Sequence, residues 1–365
     1  MKPKTLLHSP IGIIYAGGTF GSYGQPLTAL PNDVFLPILT DILTEHFASY
    51  PNHAESPVDW EILPNTVIKD SSQLTPVDFA QFYALILQAM QRGFRQFVLL
   101  TGTDTLSFLA SFLAESFANS NTCIIVTGAM QPLLDSQVLS NYQIDSTSDA
   151  TQNLFDACQL ARYGDAGVRV CFAGENWHAQ TVQKIHSHDL MAFVGHHRAG
   201  YPANSFTNKM TQTQRAHWLM DTAEQLPQVI KQLGLANIAT LYLTPMSADQ
   251  LAGQLEQILA NSPQAIIMMG FGAGNVPYHQ AVVDKLKQAK KDGCLVVITT
   301  QCPYGGVSQS YEAGAWLTDC GVVSSGRLTL PAIYARLLWL IANYDTPTRR
   351  RQRWTHILKD THTVA

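Results

Sequence analysis

Short, unbroken apolar runs recur along the chain, each ending in a glycine- or hydroxyl-rich turn and followed by a helix-like stretch. GIIYAGG comes first, then FVLLTGTDT at 97–105, CIIVTGAM at 123–130 and VRVCFAG at 168–174. Between them lie PVDFAQFYALILQAMQRG and TLSFLASFLAESFANS, which read as helices. Pro76 opens the first of these and Gly93 closes it, each at a position that its backbone chemistry favours. Apolar runs without in–out alternation, joined by helices, predict a parallel sheet covered on both faces.

The pattern weakens after residue 195, where GHHRAGYPANSFTNKMTQTQRAHW is polar and aperiodic. It resumes with ANIATLYLTP, QAIIMMGFGAGNVP and CLVVITTQCP, and closes on LPAIYARLLWLIANY. The chain therefore divides into an N-terminal α/β domain over 1–195, a linker over 196–225 and a smaller C-terminal α/β domain over 226–365. At 365 residues it is long for one core and comfortable for two. No internal repeat or low-complexity tract interrupts it.

Composition narrows the function classes. The apolar fraction is 46%, charged residues make up 14% and the formal net charge is −4, so the chain folds readily but lacks the basic stripe of a nucleic-acid binder. Only TRRRQRW, at 348–354, is basic, and it reads as the solvated end of a terminal helix. The six cysteines, Cys123, Cys158, Cys171, Cys294, Cys302 and Cys320, show no C-x-x-C spacing. Neither a zinc site nor a redox dithiol is indicated, and several sit in apolar runs, as buried thiols of a reducing compartment do. His8, Ser9 and Pro10 break what would otherwise pass for a signal peptide, and no run reaches membrane-spanning length, so a soluble cytoplasmic protein is expected.

The candidate chemistry lies in the turns after the strands, where ligands of open α/β sheets collect. These turns read AGGTFG, KDSSQLTP, TGTDTL and TGAMQP. Each alone has a plain reading, because Ser, Thr and Asp cap helix N-termini. Their common placement is what suggests a site. In IIYAGGTFGSYG, residues 13–24, the glycines match neither a P-loop nor the spacing of a dinucleotide fingerprint. They would instead expose the Thr19 hydroxyl and leave neighbouring amides free to hold an oxyanion. A threonine needs a partner to take its proton. Tyr23, the Thr103–Asp104 pair and Lys184 are the candidates, a lysine beside Asp104 being able to hold that carboxylate ionised.

Taken together, YAGGTFG, DSSQLTP, LLTGTDTL, VTGAMQP, SDATQNLFDA, TVQKIHSHDLMAF, FGAGNVP and VVITTQCPYG resemble, in order, the motifs of bacterial L-asparaginases, and more closely the cytoplasmic type I branch. The resemblance spans residues 13 to about 330. It implies a two-domain α/β hydrolase, paired into homodimers or homotetramers, that converts L-asparagine to L-aspartate and ammonia without metal or cofactor. By motif, Thr19 would attack the amide carbon. Thr103, Asp104 and Lys184 would relay protons or activate water. Ser71 and Ser72 would hold the substrate's α-carboxylate and α-amine, with Asp104 also facing the amine. Gly18, Gly102 and Ala129 would line the pocket through their backbones, and Asn275 would serve the neighbouring subunit's site.

Two departures stand out. The family's lid tyrosine lies a dozen or so residues after the nucleophile; here that region reads TALPND, and Tyr23 is the tyrosine left for the part. The segment LLDSQVLSNYQID, 133–145, is longer than the family leads one to expect: a surface insertion, or a reach to the edge of the active site. Two other functions share these motifs. One is a non-catalytic amino-acid sensor of the same fold. The other is the amidase subunit of a tRNA-dependent amidotransferase, in which an extra domain precedes GGT.

Overall fold

The computed structural model describes residues 9–49, 58–118, 120–135, 142–195, 210–307 and 312–362. The chain falls into two compact units, Met1–Gly195 with Asn204–Leu226, and Pro227–Ala365 with His196–Ala203. Of the expected linker, 196–209 lies outside the described residues and 212–225 is helical.

In the first unit, β1 (Ile11–Tyr15) enters a single 3-10 turn, Thr19–Gly21, then a short ribbon of β2 (Ser22–Tyr23) and β3 (Thr28–Ala29), then α1 (Asn32–Ala48). Next come β4 (Trp60–Ile62), a 3-10 turn at Ser71–Gln73, α2 (Pro76–Gln91), β5 (Gln96–Leu100), α3 (Leu106–Ser116), β6 (Cys123–Thr127) and α4 (Ala150–Tyr163). The unit continues through β7 (Gly167–Phe172), β8 (Glu175–His178), a 3-10 turn at Ala179–Thr181, β9 (Val182–Lys184) and β10 (Phe193–Gly195). The helix α5 (Gln212–Gly234) follows, its residues from Pro227 onward belonging to the second unit.

The main sheet has the order β4-β1-β5-β6-β7-β8, parallel except for the edge strand β8. Every residue of β1, β5 and β6 is buried, which is why their sequences do not alternate. The chain leaves β1 for β4 on one side and returns to β5 on the other. The crevice at the carboxyl ends of β1 and β5 is thus a topological switch point, where such sheets bind ligands. Local chemistry sets the helix starts: Thr75 and Asp78 close a capping box on α2, with Pro76 in its first turn, and Gly93 follows the helix at φ +104°.

The second unit holds a parallel four-stranded sheet, β11 (Ile238–Tyr242), β12 (Ala265–Gly270), β13 (Leu295–Thr300) and β14 (Val323–Ser324), in that order. Its helices are α6 (Ala248–Ala260), α7 (Gln280–Lys291), α8 (Glu312–Asp319), α9 (Leu330–Asn343) and α10 (Pro347–His362). Ile266, Met268, Val296 and Ile298 join one core, while Ile267 and Val297 join Ile333, Leu337 and Trp354 in another. Successive strand residues therefore feed opposite faces, and both faces are covered.

The basic tail departs from the sequence expectation. It is a helix, α10, but a docked one: Trp354 is fully buried and donates its indole N–H to Ser324 O at 2.9 Å. Arg350 is buried too, and gives its Nε–H to Tyr344 O at 2.8 Å. A single apolar residue among arginines, spaced to face the core, outweighs the charge around it.

All six cysteines are free; Cys302 is exposed and the others are buried. Burial pushes the thiols of Cys123, Cys171 and Cys294 up to about 12, which leaves them unreactive at neutral pH. Among the described residues no helix is long and apolar enough to cross a membrane.

Candidate active site

The switch point brings three of the expected turns together. Ala16, at the end of β1, is held from both sides: its N–H donates to Leu100 O at 2.8 Å and its carbonyl accepts the Lys69 N–H at 3.2 Å. Beyond it Gly17 and Gly18 take φ +90° and +84°, a backbone that only glycine adopts easily. A Cβ on Gly18 would lie 2.3 Å from Gly102 Cα, and one on Gly102 would lie 2.6 Å from Ser71 Oγ. The GGT, TGTDT and DSS turns therefore touch through atoms that leave no room for a side chain.

Hydroxyl groups divide the work. Asp70 accepts the Ser72 amide at 2.7 Å, and the Ser72 hydroxyl and amide hold its carboxyl below the usual range. Ser71, 2% exposed, accepts the Asp104 N–H on Oγ at 3.1 Å, and its carbonyl accepts the Thr105 hydroxyl at 2.7 Å. Thr105 stands at the N-cap of α3 but makes no capping bond. Its hydroxyl is spent on joining two turns. Ser72 is exposed beside them.

Lys184 arrives from β9. Its Nζ donates to Thr103 Oγ1 at 2.8 Å and to Asp104 Oδ1 at 2.8 Å. Thr103 is 7% exposed, whereas the side chains of Lys184 and Asp104 are 19% and 59% exposed, so the cluster runs from the interior to an open carboxylate. The reach across eighty residues depends on α3. The residues before this helix carry Thr103 and Asp104, while Ser111 and Glu115 on it bind Ala179 O and the Gln180 side chain, in the turn that feeds β9.

Thr19 opens the 3-10 turn and is half-buried. Among the described residues its hydroxyl makes no hydrogen bond. Ser22 Oγ donates to Gly18 O at 3.0 Å, and the next residue, Tyr23, sets its ring 5.2 Å from that of Tyr142. Ala129 is buried after β6. Asn275 belongs to the second unit, where its carbonyl accepts the Phe271 N–H at 3.0 Å in the turn after β12. Among the described residues no three His, Cys, Asp or Glu side chains gather as metal ligands.

Comparison with known proteins identifies the family. The family model "Asparaginase, N-terminal" matches residues 10–218, and "Glutaminase/Asparaginase C-terminal domain" matches 237–353. The chain belongs to the asparaginase family. It is 27% identical over 345 residues to L-asparaginase 1 of Escherichia coli K12, covering 93% of this chain and 94% of that one. It is also 27% identical over 278 residues to L-asparaginase of Thermococcus kodakarensis, covering 75% and 77%. The solved structure of L-asparaginase I from Vibrio cholerae shares the fold, with a TM-score of 0.72 at 24% identity over 95% of this chain and 97% of that one. The expectation of an asparaginase-family enzyme with two α/β domains stands.

Within this asparaginase fold, three residues bear on the site that motif reading left without a part. Asp149 accepts the Met130 and Gln131 amides, each at 3.0 Å, one on each carboxylate oxygen. Asn153 donates to Gly128 O at 3.0 Å and to Asp149 at 3.0 Å, and accepts the Ala173 N–H at 2.8 Å. These two, the D and N of SDATQN, fix the backbone that presents Ala129. Tyr15 lies beneath the Thr19–Gly21 turn: a Cβ on Gly21 would fall 1.8 Å from its hydroxyl, which is buried without a hydrogen-bond partner among the described residues. No sequence signal separates it from an ordinary core tyrosine.

Proposed function

We infer that this protein hydrolyses L-asparagine to L-aspartate and ammonia through an acyl-enzyme on Thr19. The observation that carries the reading is Lys184 Nζ at 2.8 Å from both Thr103 Oγ1 and Asp104 Oδ1, beside the turn of Thr19, whose hydroxyl makes no hydrogen bond among the described residues, in an asparaginase-family chain. In the first half-reaction Thr19 Oγ adds to the side-chain amide carbon and loop amides hold the oxyanion. The C–N bond breaks as the nitrogen takes up a proton and leaves as ammonia. In the second, water adds to the aspartyl ester, the ester C–O bond breaks, and Thr19 regains its proton. A protonated Lys184 serves Thr103 by donating to its oxygen, which lowers the cost of negative charge there; once it has given up a proton it can accept one. General acid–base help of this kind contributes about 10²–10⁴-fold.

Asp104, the exposed member of the cluster, would face the substrate α-amine. Ser72 and the hydroxyl proton of Ser71 would face the α-carboxylate, with Gly18, Gly102 and Ala129 forming the walls and Tyr23 the lid. Asparagine and glutamine differ by one methylene, worth about 1–3 kcal/mol, so glutamine turnover accompanies the main activity. We also propose a cytoplasmic homodimer or homotetramer in which Asn275 serves a neighbouring site; free, mostly buried cysteines suit that compartment.

Ammonia release from asparagine, glutamine and D-asparagine tests the reading. Thr19→Ala should lower turnover by about 10³-fold or more, and Lys184→Met by about 10²–10⁴-fold, each with an unchanged melting temperature. Retained turnover in folded Thr19→Ala would overturn the nucleophile. Binding of asparagine without ammonia release by the parent would favour the amino-acid sensor.

A further inference from the structure

We propose that Tyr142, carried by the long 133–145 segment, is a positioning residue that holds Tyr23 at the edge of the Thr19 site. The proposal rests on the asparagine-hydrolase reading above. Tyr23 sits in β2, a strand of two residues that pairs, among the described residues, with the two residues of β3. A ribbon that short does not stand alone in water. Its inner end is tied down, by Ser22 Oγ on Gly18 O and by the Leu30 N–H on Gly21 O at 3.0 Å. A ring contact gives Tyr23 a further support.

The described ends of the 133–145 segment supply it. Leu134 and Ile144 pair as an antiparallel bridge, flanked by Asp135 N–H to Gln143 O at 2.8 Å and Asp145 N–H to Leu133 O at 3.0 Å. The pair is fastened to the nucleophile turn itself, because the Leu133 N–H donates to Phe20 O at 3.1 Å, one residue after Thr19. Tyr142 leaves this ladder with its ring tilted 60° to that of Tyr23 and 5.2 Å away, a spacing at which aromatic rings attract. It does so at φ +45°, a backbone conformation uncommon for a bulky residue. At 41% exposed, its ring is not a core residue whose burial would account for that conformation. Partial desolvation, then Tyr142, then Asp135 raise the Tyr23 phenol above its ordinary value, as expected if both groups face it.

Steady-state kinetics with asparagine test this. Tyr142→Asn keeps a residue tolerant of the left-handed backbone and removes the ring; it should lower kcat/KM roughly 3- to 10-fold, the range an aromatic pair commands, with the melting temperature unchanged. Tyr142→Gly should match it, and Tyr142→Phe should stay within twofold of the parent. Because Tyr142 acts through Tyr23, the double variant Tyr23→Ala/Tyr142→Asn should be no worse than Tyr23→Ala alone. Parent-like kinetics in both Tyr142→Asn and Tyr142→Gly, or losses that multiply in the double variant, would overturn the proposal. If Thr19→Ala is inactive while Tyr142→Asn is parent-like, only this inference fails; if Thr19→Ala is active, the reading beneath it fails.

Discussion

Gly18 and Gly102 meet with 2.3 Å between the place of a missing Cβ and the opposing Cα. One methyl group on Gly18 must displace the Thr103–Asp104 turn, and φ +84° adds strain. Gly18→Ala should therefore lose at least about 10²-fold in kcat/KM, the usual cost of misplacing reacting groups by an ångström, while circular dichroism stays that of the parent. Tyr15→Phe should act in the opposite sense, removing a buried hydroxyl that has no hydrogen-bond partner among the described residues; its melting temperature should equal or exceed the parent's. A fall of several degrees would mean that the hydroxyl is bonded in solution. The hydroxyl-rich turns were legible as a group but not individually. Composition alone cannot assign Ser, Thr and Asp to caps or to chemistry, because both uses draw on the same oxygen atoms. Only coordinates assign Asp70 and Thr75 to capping and Ser71 and Thr105 to joining turns.

At the scale of elements, most strands and helices around the site follow from the apolar runs and from Pro76, Gly93 and Thr75, because burial on both faces and capping chemistry are local signals. What holds them in place is not local. Asp78 closes the α2 capping box and also pairs with Lys69, 2.8 Å away, which lies just before the DSS turn. Burial would raise its carboxyl pKa, but hydrogen bonds from Lys69 and Thr75, with the Lys69 charge, prevail and hold it below the ordinary value. A lowered carboxylate pKa contributes stability that is present above the unfolded pKa and is lost as pH falls through the folded one. Asp78→Asn should thus cost about 1–2 kcal/mol in urea unfolding at pH 7. The gap to the parent should shrink as pH falls below the ordinary carboxylate range. A gap independent of pH would remove the ionised carboxylate from the account. Lys184 is another such element-level fact: the sequence offers it as a partner for Asp104, but its reach to Thr103 depends on α3 and the turn at Ala179–Thr181.

For the whole molecule, two α/β units and family membership were readable from eight ordered motifs, because strand-end turns carry both fold and function. The tail was misread, because charge density hid the one residue that decides its fate. Trp354 fills the core between α9 and the sheet of the second unit, with the Arg336 guanidinium 5.8 Å from its ring. Trp354→Ala should cost about 3–5 kcal/mol, visible as a lowered calorimetric transition; an unchanged transition would return the tail to solvent.

The contact between Gly18 and Gly102 also bears on any attempt to retool this protein. Because the two turns interlock without side chains, residues 17–19 and 101–104 behave as one mechanical part made from two distant pieces of chain. A graft from a relative with a different substrate range has to bring both pieces, and libraries that vary one turn against a fixed other will be dominated by clashes rather than by new specificities. Their useful diversity lies instead at Ser72, whose side chain is exposed beside the interlocked turns.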